Sequence, residues 1–250
     1  PSALRSRVQE MMDLCRGLDA WDRFDHKGAL AILRPRGRFV GALLPHLDRL
    51  AESDRAPEAW GVSSVLAVYD LLRNAERRAV QGRYDDAVAR LYRALEMLAQ
   101  NRLRGARSID KSNVDPAQMP ETWRAARGRL ENVSGDLATV NEVAEVTAAE
   151  SKLEASAQRI RIGLRDSYRL LVELNDPVGH TFQQHEARLL GMLERRNQSI
   201  LAHGTRPVGA AEYPPLQQCV ATFVDVAVRS TGLTLNAPPQ FPPFDPKQFA

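Results

Sequence analysis

At 250 residues the chain has room for one large domain or two small ones, and its 44% apolar and 26% charged content excludes wholesale disorder. No run reaches the ~18 uncharged apolar residues of a membrane span, and no signal-peptide core opens the sequence. A net charge of +3, from 34 basic and 31 acidic residues, excludes a histone-like coat for DNA, so any nucleic-acid site is local.

Helical periodicity runs almost end to end, without a convincing alternating strand, and predicts an all-α fold. The first helix is expected over 3–18, with Leu4, Val8, Met11, Met12 and Cys15 along one face, and the second over roughly 22–34. A third, 37–53, carries Phe39, Val40, Leu43, Leu47 and Leu50, with Pro45 placed to kink it. Residues 54–61 contain a helix stop and mark a boundary, so that 1–60 forms an N-terminal helical segment beside a bundle over 61–235.

Two strong helices follow. Val65, Val68, Tyr69, Leu72, Ala75 and Ala79 recur at helical steps over 62–81, which Gly82 ends. Tyr84, Val88, Leu91, Leu95 and Leu98 do the same over 84–104, with Asp86, Arg90 and Arg93 on another face. The hairpin AERRAVQGRYDDAVARLYRALE resembles one tetratricopeptide unit, but no second copy appears at the ~34-residue period that such an array requires.

Residues 105–120 read as a loop, and a short helix is expected over about 121–131. From 136 to 174 the pattern is helical, weakly apolar at first and then strongly so over 153–174, where Ile160, Leu164, Tyr168, Leu171 and Leu174 must pack. NDPVGH breaks it. Helices over about 181–203 and 214–230 complete the bundle, the last with Leu216, Val220, Phe223, Val224 and Ala227. The tail over 236–250 is proline-rich and irregular.

Two cysteines, Cys15 and Cys219, exclude a disulfide framework and a cysteine-based zinc site, and suit a reducing cytoplasm. Thirty of the basic residues are Arg, a bias that GC-rich coding produces but that also suits bidentate recognition of phosphate. Of the five histidines, His26 and His46 stand among surface-like charges, and His180 and His185 flank a helix start. Neither HExxH nor paired Cys occurs, so no metal or other cofactor is expected.

His203 differs in its setting, RRNQSILAHGTRP. With Leu189 at zero and about 100° per residue, Ile200, Leu193, Leu190 and Leu201 define a buried arc from about 20° to about 120°. Arg196 falls near about −20° and His203 near about −40°, on one edge of that arc and ~10 Å apart along the axis, while Asn197 at about 80° faces inward. Arg195 points away, at about 240°. Gly204 is a natural helix terminator, so the imidazole would sit at the negative end of the dipole, which favours its protonated form.

The segment RNQSILAHG resembles the R-x(4–6)-H motif of HEPN ribonucleases, with Arg196, a polar Asn197 directly after it, and six residues before His203. The all-helical chain, the motif's place on the penultimate helix and the upstream LYRALEMLAQNRL helix extend the likeness over roughly 20–235. Together they resemble the effector half of the CRISPR-associated HEPN ribonucleases of type III systems. The resemblance implies a metal-independent endoribonuclease acting on single-stranded RNA, with Arg196, Asn197 and His203 catalytic and the site completed in a homodimer. It also implies a nucleotide-sensing CARF domain upstream. No βαβ pattern or glycine-rich loop occurs, and the chain opens at Pro1 without an initiator Met, so that sensor is expected to be missing here. The competing expectation is a non-enzymatic helical interaction module, tetratricopeptide-like or a degenerate HEPN partner. A HEPN companion of a nucleotidyltransferase toxin is a third, without a marker of its own.

Overall fold

The most apolar stripe of the first helix faces away from the core. The computed structural model describes residues 2–53, 59–112, 114, 119–121, 162–197, 206–236 and 238–242. In it α1 (Ser2–Asp22) leaves Leu4, Val8, Met12 and Cys15 exposed and buries Leu14, Gly17, Ala20 and Trp21 instead. Glycine decides this. A Cβ at Gly17 would lie 2.5 Å from the Leu33 side chain, so the bare backbone is what admits α2 (His26–Leu33) to this face.

The expected helix over 22–34 starts later, at His26. The chain turns at Phe24, whose φ is 63°, and the Asp25 carboxylate caps α2 by accepting the Gly28 amide at 2.9 Å. The expected 37–53 helix is three pieces: α3 (Gly37–Val40), a 3₁₀ turn (Gly41–Leu43) and α4 (Leu44–Ser53). Pro45 is no interior kink, because it occupies the first turn of α4, where a missing N–H is harmless. It offers Gly41 no helical N–H, and the break falls there. Val40, Leu43, Leu47 and Leu50 are buried as expected and form one apolar cluster with Trp21, Ala29, Leu33 and Leu66.

A second, larger cluster fills the space among α5 (Val62–Val80), α6 (Tyr84–Arg107), α7 (Leu164–Glu173), α8 (Pro177–Asn197) and α9 (Tyr213–Arg229). The tight turn at Gly82, φ 73°, folds α6 back on α5 as the most extensively packed pair. α6 outruns its expected end at 104, and Ser108 in the left-handed region caps it. α7 begins at Leu164, since Ile162 and Gly163 are not helical; the rest of the helix expected over 153–174, Ile160 included, lies outside the described residues. So do the helices expected over 121–131 and 136–151, apart from Glu121. α8 starts at Pro177, four residues before expectation. Among the described residues the regular structure is helical and no strand forms, so the fold is all-α. Within the same residues no helix is long and apolar enough to cross a membrane.

A buried polar seam joins the two clusters. Trp21 Nε1 donates to Asp70 at 3.0 Å, and His26 Nε2 lies 3.4 Å from the other carboxylate oxygen. Asp22 receives Arg77 Nε and Asn74 Nδ2, each at 2.8 Å, and pairs with Arg78. His26 and His46 are therefore buried rather than surface residues, correcting the reading of their charged neighbours. The irregular tail is pinned on the same seam. Gln240 exchanges hydrogen bonds with Arg77 and Glu76, and the Phe241 ring lies 4.3 Å under the Arg77 guanidinium and 5.1 Å from Trp21.

Candidate active site

Four tie points set the directions of α6, α8 and α9. Tyr84 and Tyr213 lie 6.0 Å apart at the starts of α6 and α9, while Trp60 meets Gly105 and Thr231 at their ends. These two helices are thus parallel. Asp176, immediately before α8, receives Arg102 Nε at 2.9 Å and Arg107 at 3.3 Å at the end of α6, so α8 runs antiparallel to both. At ~1.5 Å per residue α8 then spans ~30 Å and ends level with the start of α6.

The motif helix owes this position to its N-cap. Asp176 is fully buried, accepts the Val178 amide at 3.0 Å, and precedes a proline whose missing N–H is an orphan in any first turn. Gly179 brings α8 against α7: a Cβ there would lie 2.4 Å from the Val172 amide nitrogen. Val178, Phe182 and Leu189 bury one face. Leu190, expected inside the arc, is only half-buried, while Gln184, Ala187, Arg188 and Gly191 form the exposed side.

Arg196 and Asn197 occupy the last turn of α8. In backbone register Arg196 comes seven residues after Leu189 and eighteen after Val178, within ~20° of the buried line through both. The side chains of Arg196 and Asn197, and all of His203, lie outside the described residues. The chain is described again from Arg206, which is exposed, and Val208 is held at the start of α6, where its amide donates to Asp85 Oδ1 at 3.0 Å. The motif segment therefore leaves and re-enters the described fold at one end of the bundle, beside the α5–α6 turn and the start of α9.

Charge at that end divides into neutralised and open groups. Asp86 pairs with Arg90 and, at 3.1 Å, with Arg83, whose side chain remains 57% exposed. Arg206 and, farther back on α8, Arg188 are exposed. Burial pushes the Tyr213 phenol well above its usual range, with Glu76 adding to the effect, so it stays protonated and cannot act as a base near neutrality. The two histidines of α8 are engaged elsewhere: His180 with Asn175 Oδ1 at 2.8 Å, and His185 with the Thr181 carbonyl at 2.9 Å. His185 is also ~16 Å along the helix from Arg196. Among the described residues no group of three His, Cys, Asp or Glu is placed to hold a metal ion.

Against known families, residues 61–227 match the model of the Csm6 HEPN domain. The chain belongs to this family. The match includes Arg196, Asn197 and His203, and it makes the protein a HEPN-type ribonuclease of CRISPR systems. A search of curated proteins finds no match. Two supporting residues escaped the sequence reading. Asp176 was findable, because Asp-Pro before an apolar period marks a helix start. Asp85 left no signal, because its contact spans 123 residues of sequence.

Proposed function

We propose that this HEPN domain is a metal-independent endoribonuclease that cleaves single-stranded RNA, with Arg196, Asn197 and His203 in the reacting site of a homodimer. The family match over 61–227 carries the reading, because all three residues fall inside it. RNA brings its own nucleophile. The 2′-oxygen bonds to phosphorus as its proton leaves to a base, and the P–O5′ bond breaks as that oxygen gains a proton. A 2′,3′-cyclic phosphate and a 5′-hydroxyl result. The His203 imidazole moves these protons, and the Arg196 guanidinium, charged at any working pH, stabilises the phosphorane oxygens. Asn197 orients the pair. One Arg and one His are few for phosphoryl chemistry, and a twofold contact that brings the same edge from two copies together doubles both. Control by a nucleotide-sensing CARF domain belongs to the same reading.

The test is cleavage of a single-stranded RNA in excess EDTA. Activity should persist, leave cyclic phosphate ends, spare the matching DNA strand, and vanish in His203→Ala with the helical signal intact. Activity abolished by chelation and restored by manganese would overturn the mechanism.

A further inference from the structure

α1 turns an apolar face away from the core, and that face is continuous. Leu4, Val8 and Met12 are 68%, 47% and 44% exposed, whereas Val62, Val80 and Val226 stand singly on other helices. With Leu4 at zero and about 100° per residue, Val8, Met11, Met12 and Cys15 fall between about −20° and about 80°. The buried Leu14, Gly17, Ala20 and Trp21 centre near about 230°, on the opposite side. The face runs for ~16 Å, and Val8, Met11, Met12, Cys15 and Arg16 line a shallow groove along it. Single exposed apolar residues are ordinary, but a contiguous patch with a polar rim marks a contact surface.

Charge around the groove has one sign. The acids of α1 are held by other arginines: Glu10 by Arg38, Asp13 by Arg36 at 2.5 Å and Asp19 by Arg23 at 3.0 Å. Arg5, Arg7 and Arg16 are exposed and enter no ion pair among the described residues. Arg5 and Arg16 fall near about 100° and about 120°, along one flank, and Arg7 near about −60°, along the other. The groove is thus an apolar floor between cationic walls.

That combination selects among occupants. Both flanks are basic, so a second copy laid on the face in either direction sets arginine against arginine. A bilayer suits it no better: Asp19, near about 60° and 64% exposed, continues the same face and would carry a carboxylate toward the acyl chains. A helix complements floor and walls together, with apolar side chains at the spacing of those on α1 and carboxylates along its flanks. We propose that the outward face of α1 is a docking groove for an amphipathic, acidic-flanked helix of a partner protein. Met11 and Met12 suit this role, since unbranched thioether side chains adapt to the groups packed on them. The groove lies on the N-terminal helical segment and is independent of the ribonuclease reading.

The experiment adds to the full chain a synthetic helix of ~18 residues with Leu at every third or fourth position and Glu on both flanks. The same peptide with Lys in place of Glu is the comparison. Anisotropy of the labelled peptide gives Kd. A thiol reagent gives the location, because Cys15 is exposed in the groove while Cys219 is buried with its thiol pushed above the usual range. The Glu peptide should bind roughly tenfold more tightly than the Lys peptide and slow the modification of Cys15. Leu4→Ser with Val8→Ser should weaken it by roughly tenfold or more, with the melting temperature unchanged because both side chains are at the surface. Arg5→Glu with Arg7→Glu should reverse the preference between the peptides, in a fold that keeps its stability because carboxylates are favoured near a helix N-terminus. Equal affinity for the two peptides, no binding up to ~1 mM, or an unprotected Cys15 would each overturn the proposal. So would protection of Cys15 by vesicles of phosphatidylcholine and phosphatidylglycerol but not by peptide, or by self-association of the chain seen in light scattering.

Discussion

Asp176 Oδ2 accepts from Arg102 Nε at 2.9 Å while Asp176 Oδ1 accepts the Val178 amide at 3.0 Å, so one buried carboxylate both caps the motif helix and ties it to α6. Removing it strands the Arg102 guanidinium, which stacks 4.9 Å from the Trp60 ring, in a site with little access to water. Breaking one side of a buried pair costs about 3–5 kcal/mol, with the cap included in that loss. Asp176→Ala should lower the urea midpoint accordingly. Asp176→Asn, which keeps an acceptor for Val178, should fall between it and wild type.

Arg195 and Arg196 separate the motif from general basicity. They are ~100° apart around the helix, and in register only Arg196 continues the buried line. Arg196→Ala should abolish turnover by orders of magnitude, and Arg195→Ala should weaken RNA binding modestly. Steady-state cleavage rates of the two variants check this, and equal losses would mean that the helical phase assumed for 196–203 is wrong.

At Gly179 a methyl group would meet the Val172 amide nitrogen at 2.4 Å and the Leu171 carbonyl carbon at 2.5 Å. Backbone cannot rotate away as a side chain would. Gly179→Ala should therefore force α7 and α8 apart and destabilise the fold by about 1–3 kcal/mol, read as a lower thermal midpoint. Gly191→Ala is the control, because among the described residues nothing lies within 4 Å of a Cβ there.

His46 gives a pH dependence. Its buried Nε2 has no hydrogen-bond partner among the described residues and its ring lies 5.8 Å from Trp21; burial holds its pKa below the usual 6.5, with Arg49, His26 and Arg77 opposing protonation and Asp70 favouring it. The folded state thus binds the proton less readily than the unfolded chain. Stability from this group is intact above pH 6.5 and declines as pH falls from there toward the folded pKa. Melting curves between pH 7.5 and 5.5 should show a smaller drop in His46→Leu than in wild type. Equal drops in the two proteins would contradict this.

Assembly is the last expectation. If the site needs two copies, specific activity should rise with protein concentration in parallel with the dimer fraction seen by light scattering. A strict monomer whose rate is first order in protein at all concentrations would reject the composite site.

Much of the architecture is legible from periodicity, because α5, α6 and α9 each bury a stripe that the sequence marks plainly. Periodicity says that a stripe exists, however, and not which face finds a partner. In α1 the larger apolar face lost to a smaller one, since only the side bearing Gly17 admits a neighbouring helix so closely. His26 and His46 look like surface residues because their partners, Asp70 and Trp21, come from distant parts of the chain. The motif was legible only as spacing; α8 runs through Asn197, and the remainder of the motif lies outside the described residues. Its supports were less so, because the bond between Asp85 and Val208 is long-range and unpatterned.

The polar seam also governs how this protein comes apart. The family match stops at residues 61 and 227, yet Asp70, Asn74 and Arg77 inside it are hydrogen-bonded or paired to Trp21, Asp22, His26 and Gln240 outside it. A fragment trimmed to those limits would leave Asp70 and Arg77 only their 3.9 Å contact with each other on a newly exposed face of α5. The flanks behave as a belt whose two ends buckle where Phe241 meets Trp21. Releasing the buckle frees α1 and uncovers α5 in the same event. The two apolar clusters should accordingly melt as one cooperative unit, with no stage at which the bundle stands while the N-terminal helices have gone.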